Sequence, residues 1–155
     1  MSIILGINKD HSDSSACLLI DGKLIGAVAE ERLGKRVKHD PSFPINSIKW
    51  LIKSNNLKYK DLDLIAVSNN SISNFFPKLM HSLDFSSLSL FKKIKSKFYS
   101  QSSVNNEIFD LCKKNNEDEK ALKFKIVNVE HHLTHIASAY YLSQFTNKTA
   151  AFSYD

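Results

Sequence analysis

Apolar and polar positions fall into short, well-punctuated runs along most of the chain. Ile3 to Ile7 is apolar and is closed by Asn8-Lys9-Asp10-His11, the pattern of a buried strand followed by a polar turn. Ser15-Ala16-Cys17-Leu18-Leu19-Ile20 predicts a second strand, Asp21-Gly22 a hairpin turn, and Lys23 to Ala29 a third strand antiparallel to the second. The charge-dense stretch Glu30 to His39 and then Asp40-Pro41-Ser42-Phe43-Pro44 predict a loop leading into a helix. That helix is expected from about Ile45 to Ser54, with Ile48, Leu51 and Ile52 on its inner face and Asn55-Asn56 at its end. Leu62 to Ser68 predicts a fourth strand, ending at Asn69-Asn70.

Residues 71 to about 120 differ in character, being rich in Ser, Asn, Lys and Phe. Helical periodicity is present over Leu83 to Tyr99 and over Val104 to Lys114, and the stretch is expected to form a helical insert or lid. Phe75, Phe76, Phe85, Phe91 and Phe98 are too many aromatics for a solvated linker, so they are expected to pack on something. Lys123 to Val129 predicts a fifth strand, Glu130 to Ser143 a helix, and Thr149 to Tyr154 a last strand. No internal repeat is visible. The order β-β-β-α-β-(helical insert)-β-α-β predicts a mixed α/β sheet with flanking helices.

Composition narrows the function classes more than it names one. At 155 residues a single domain with a real core is expected. The net charge of +5 comes from scattered lysines and not from a clustered basic face, so nucleic acid is not expected as a partner. Cys17 lies in an apolar run, is expected to be a small buried residue, and is far from Cys112, so no disulfide framework is implied. The apolar start lacks a basic lead-in and a cleavage site, and no run approaches the roughly 20 apolar residues of a membrane span. A cytoplasmic protein with no membrane partner is expected.

Three segments could carry chemistry. Three of the six histidines lie in Val129-Glu130-His131-His132-Leu133-Thr134-His135. His131 and His135 are four apart, so on a helix they share a face and can bind one metal ion. Asp155, at the end of the expected last strand, is a candidate third ligand, and two imidazoles plus a carboxylate with open positions suit Fe(II) or Zn(II). The plainer alternative is that these histidines cap the helix. His132 is expected to point away from the pair. The second segment, Asp10-His11-Ser12-Asp13-Ser14-Ser15, could cradle a phosphate or hold a general base, or simply be a Ser/Asp turn. The third, Glu30-Glu31-Arg32 with Arg36, Lys38 and His39, could bind an anionic substrate, or be a solvated charged loop.

Taken together these pieces resemble a known family. Gly6-Ile7-Asn8, His11-Ser12-Asp13-Ser14-Ser15-Ala16, Asp21-Gly22-Lys23-Leu24, Glu30-Glu31-Arg32, Lys38-His39 and Phe43-Pro44 resemble the start of the O-carbamoyltransferases, which include nodulation-factor and antibiotic carbamoyltransferases. Glu130-His131-His132-Leu133-Thr134-His135-Ile136-Ala137-Ser138-Ala139-Tyr140 resembles the same family's histidine motif. The agreement in order covers nearly the whole chain except the stretch at about 71 to 120.

The resemblance implies an actin/sugar-kinase/Hsp70-like (ribonuclease H-like) first subdomain. It also implies a reaction in which carbamoyl phosphate and ATP give a carbamoyl-adenylate, whose carbamoyl group passes to a hydroxyl of a sugar-like acceptor beside an iron-type metal ion. It matches His131, His135 and Asp155 to metal ligands, His11 to a catalytic histidine that helps deprotonate the acceptor, and Arg32, Lys38 and His39 to substrate-binding positions. In the family the adenylate forms in a separate C-terminal region. Because family members are several times longer, the chain is expected to be a gene fragment, a truncated piece or a split subunit that needs the missing region or a partner subunit. Two alternatives remain at this point. One is the related tRNA threonylcarbamoyladenosine synthase branch, which shares the fold and a paired-His motif. The other is a non-catalytic remnant with the same fold.

Overall fold

In the computed structural model the described residues are 1–9, 13–34, 38–68, 103–145 and 148–153. Five strands form one sheet: β1 (Ile3–Asn8), β2 (Ser15–Ile20), β3 (Lys23–Ala29), β4 (Leu64–Ser68) and β5 (Lys125–Val129). Their order is β3-β2-β1-β4-β5. β1, β2 and β3 form an antiparallel meander, whereas β4 and β5 run parallel to β1. A meander on one side of β1 and parallel strands on the other give the mixed α/β sheet with flanking helices that was expected. The helices are α1 (Glu30–Leu33), α2 (Ile45–Ser54), α3 over 103–114 and α4 (His131–Leu142).

The hairpin between β2 and β3 turns on Asp21 (φ 49°) and Gly22 (φ 77°), the left-handed pair that a two-residue loop matched to strand twist requires. Asp21 also ties the turn to the chain start, its carboxylate accepting from the Ser2 N–H at 2.7 Å. β1 alternates strictly, with Ile3, Leu5 and Ile7 buried on one face. They join Ala16 and Leu18 of β2 and Ile65 and Val67 of β4 in a core closed by Ile48, Leu51 and Ile52 of α2. These are the inner-face residues expected of this helix, and its bounds are those expected.

Glycine is needed at two places where the sheet is tightly approached. A Cβ on Gly6 would stand 2.5 Å from the Cys17 sulfur across the β1–β2 pair. One on Gly26 would stand 3.1 Å from a Leu51 methyl, so β3 lets α2 settle close to the sheet. Cys17 itself is only half-buried, because its side chain lies on the sheet face opposite Ala16 and Leu18. That corrects the expectation of a buried residue. Burial still pushes its thiol above the ordinary range, partly offset by a hydrogen bond with the Gly6 backbone.

The stretch at about 71 to 120, expected as an insert, contributes to this core. Val104, Ile108, Leu111 and Cys112 recur at helical spacing along α3 and are all buried. The expected helix over Leu83 to Tyr99 and the phenylalanines at 75 to 98 lie outside the described residues. β4 starts two residues later than expected because Tyr59–Asp61 forms a 3-10 turn and Asp63 is spent on the sheet end. Its carboxylate accepts from the Ile3 N–H at 2.8 Å. β5 likewise starts at Lys125 and not Lys123.

Among the described residues one expected element is missing. The run from Thr149 was expected to be a strand, but residues 148–153 pair with no strand among the described residues, and Phe152 is 88% exposed. An apolar run becomes a strand only when a neighbouring edge takes its backbone groups. Tyr154 and Asp155 lie outside the described residues.

Candidate functional site at one sheet edge

Strand direction gathers the candidate residues. β1, β4 and β5 are parallel, so Asn8, Ser68 and Val129 end at the same edge of the sheet. β2 begins there with Ser15, and β3 ends there with Ala29. Glu130, His131, Asp13, Glu30 and Glu31 therefore share that edge, the position where α/β sheets place their sites.

α4 is built onto this edge from its first residue. Glu130 is its N-cap, and its carboxylate accepts from the Leu133 N–H at 2.7 Å. That bond is the main reason its carboxyl is held below the ordinary 4.5, opposed by slight desolvation and assisted by the His132 N–H and the His132 and His131 rings. Thr134 and Ser68 meet hydroxyl to hydroxyl at 3.2 Å, which pins the helix to the end of β4. His131 and His135 then stand one turn apart with their Nε2 atoms 3.0 Å from each other and their rings nearly perpendicular.

Two imidazole nitrogens this close on one helix face are a donor pair that one divalent metal ion could share. Among the described residues no third His, Cys, Asp or Glu joins the pair in a metal-binding cluster. Asp155, the expected third ligand, is outside the described residues. The His132 ring meets the His131 ring edge-on, with centroids 5.6 Å apart, and its Nδ1 lies 3.4 Å from the Ser153 hydroxyl.

The charged segment after β3 is not a solvated loop throughout. Glu30 is 2% exposed, and its carboxylate takes four hydrogen bonds of 2.7–2.9 Å from the backbone N–H groups and side chains of Asn46 and Ser47. α2 begins after Pro44, has no acidic residue in its first turn and no side-chain cap. Glu30 thus supplies from a distance the acceptor that the helix start lacks. Sequence reading passed over this role. The available signal was a helix start at Pro44-Ile45-Asn46-Ser47 with no acid of its own.

Its neighbours are more open. The Arg32 guanidinium is exposed and lies 3.4 Å from the Glu31 carboxylate, so it is engaged within its own helix. Lys38 is exposed. His39 has a left-handed backbone (φ 62°), its N–H reaches Glu31 at 3.3 Å, and its Nδ1 lies 2.9 Å from an Asp13 oxygen. The Asp13 and Glu31 contacts were not anticipated from the sequence. His11 lies outside the described residues.

The sequence matches the family described as carbamoyltransferase N-terminus over residues 3–155. The chain belongs to this family. Among relatives of the chain, the Synechocystis protein sll1178 (strain PCC 6803) is 31% identical over 94% of this chain and 24% of its own length. The nodulation protein NolNO of Sinorhizobium fredii NGR234 is 30% identical over 89% of this chain and 18% of its own. The carbamoyltransferase N-terminal chain thus spans about a quarter or less of these relatives. YeaZ of Pseudomonas aeruginosa superposes with a TM-score of 0.47 at 14% identity, over 93% of this chain and 50% of that one. Among the described residues no helix is long and apolar enough to cross a membrane.

Proposed function

We propose that the chain is the N-terminal part of an O-carbamoyltransferase that passes a carbamoyl group, activated from carbamoyl phosphate and ATP as carbamoyl-adenylate, to a hydroxyl of a sugar-like acceptor. The observation that carries this reading is the family match along 3–155, with the paired histidines of α4 brought to the site edge of the sheet. As domain organisation, residues 1–155 form the first part of the actin-like domain, and adenylate formation belongs to a further region or a partner subunit.

His131 and His135 are the residues that would hold a divalent metal, Fe(II) by preference, with Asp155 as a further ligand. Such an ion supplies positive charge next to a carbonyl or phosphate oxygen as negative charge develops there. Arg32, Lys38 and His39 are the residues proposed to bind an anionic donor; of these Lys38 is exposed, while Arg32 and His39 would have to exchange their contacts with Glu31 and Asp13 for the donor. A histidine is well suited to take the acceptor's proton, since a neutral imidazole near a hydroxyl is a competent base. The resemblance gives that role to His11.

Two measurements test the reading. The native gene product should carry carbamoyl from carbamoyl phosphate and ATP onto a hydroxyl acceptor, and its intact mass should exceed 17.6 kDa several-fold. His131→Ala and His135→Ala should each lower anaerobic Fe(II) affinity by about 100-fold or more. Unchanged affinity in both variants would remove the metal assignment.

A further inference from the structure

The apolar side chains left in solvent are concentrated near one end of the chain. Apart from Met1, the four most exposed large apolar side chains among the described residues are Tyr141, Leu142, Phe145 and Phe152, at 63–88%. The most exposed aromatic elsewhere among the described residues is Trp50 of α2, at 47%. Single exposed apolar residues are ordinary, but a group of them marks a surface that meets something.

The backbone that displays these residues is fixed by its own contacts. The Ser143 hydroxyl donates to the Tyr140 carbonyl at 2.7 Å and accepts from the Phe145 N–H at 3.2 Å, which sets the turn where α4 ends. The Tyr140 and Tyr141 rings meet edge-on with centroids 5.3 Å apart. Ser153, next to Phe152, comes back to His132 at the start of the helix. The exposed residues therefore flank α4 at both ends. β5, the strand before it, is thinly covered too. Val127 is exposed, although strands paired in parallel are normally covered on both faces.

Two facts choose the occupant. The family is described as a carbamoyltransferase N-terminus, and the chain spans only 24% and 18% of the two relatives. Most of a family-length polypeptide therefore follows the matched stretch. The exposed residues also fall within 141–152, where a continuing chain reaches them through a short connection. Consecutive elements of a chain are usually neighbours in space. A second copy would have no such preference for this end.

We propose that the end of α4 and the segment after it, marked by Tyr141, Leu142, Phe145 and Phe152, form the surface on which the polypeptide beyond residue 155 docks through an apolar face of its own. This rests on the reading of the chain as the N-terminal part of a longer enzyme. Tyr141 is ten residues past His131, about 15 Å along the helix. The docked region thus steadies the helix of the paired histidines from the end away from them.

The test exposes the native gene product to hydroxyl radicals and reads oxidation residue by residue, with Trp50 as internal control. After allowance for intrinsic reactivity, Tyr141, Phe145 and Phe152 should each be oxidised about 10-fold or more slowly than their exposure relative to Trp50 would give. A second measurement replaces Tyr141 with p-benzoylphenylalanine, whose added ring the position can accept. Irradiation should join it to residues beyond 155 of the same polypeptide, without doubling the mass. The proposal is overturned if the three aromatics are oxidised in proportion to their exposure, or if the cross-link joins two copies or captures a separate subunit. A native product of 17.6 kDa overturns the reading of the chain as an N-terminal part, and this inference with it. A longer product that shows the protection and the internal cross-link but transfers no carbamoyl group overturns the transfer reading and supports the docking surface.

Discussion

Helices α2 and α4 attach to the same sheet by different means. α2 buries Ile48, Leu51 and Ile52 against the sheet and has its start held by the buried carboxylate of Glu30. α4 has no fully buried residue, and it is placed by polar contacts at one end: the Glu130 cap and the Ser68–Thr134 hydroxyl pair. Leu133, Tyr141 and Leu142 on it are exposed. The fold is therefore held on the α2 side, and the paired histidines stand on a helix whose attachment contributes little to global stability. An ion held by the pair, as proposed, would bind only the folded helix and so add its own stabilisation.

The comparison can be broken most strongly in the core. Leu51→Ala should cost about 2–5 kcal/mol by removing packed atoms, whereas Leu133→Ala should change stability by less than about 0.5 kcal/mol. Urea midpoints of the two variants would compare them directly, and equal losses would contradict the division. Glu30→Ala comes next. It leaves the Asn46 and Ser47 backbone N–H groups buried without their acceptor, at a cost of about 1–3 kcal/mol. A thermal melt should show that loss, and Glu30→Gln should show less of it, because one oxygen remains to accept.

A smaller effect is expected from His131→Ala with metal withheld. The half-buried ring contacts the His132 and His135 rings, so chemical denaturation should shift by about 1 kcal/mol or less, while any metal-dependent stabilisation disappears. The smallest effect concerns pH. The Glu130 carboxyl is held below its ordinary value of 4.5 in the folded chain, chiefly by the Leu133 N–H. Its contribution is therefore complete above 4.5 and fades as pH falls through the lower folded value. Glu130→Gln should be slightly less stable than wild type at neutral pH and converge with it in acid. A gap that widens on acidification would reverse the sign assigned here.

Much of this organisation is readable from residue order because it rests on local chemistry. The Asp21-Gly22 turn, the strict alternation of β1 and the 45, 48, 51, 52 pattern of α2 each specify their element without distant partners. Among the described residues the expected strand from Thr149 is missing, because it depended on a pairing partner that no local pattern reveals. The site divides in the same way. His131 and His135 meet because a helix brings positions four apart together. The Glu30 anchor, and the His39 contacts to Asp13 and Glu31, join segments that only the completed sheet edge brings close. A run of charges such as Glu30-Glu31-Arg32 gives no indication of which member turns inward.

The close approach of Gly6 and Cys17 has a consequence for how the chain can change. A methyl group at position 6 would need the space that the Cys17 sulfur fills, only 2.5 Å away. The two positions share one volume across the β1–β2 pair, so neither can be enlarged alone. Gly6→Ala should be harmful by itself and recover in large part when Cys17→Ala or Cys17→Gly is made first. Substitutions at these positions would then be accepted in one order and rejected in the other, giving the centre of the sheet a history-dependent path of change.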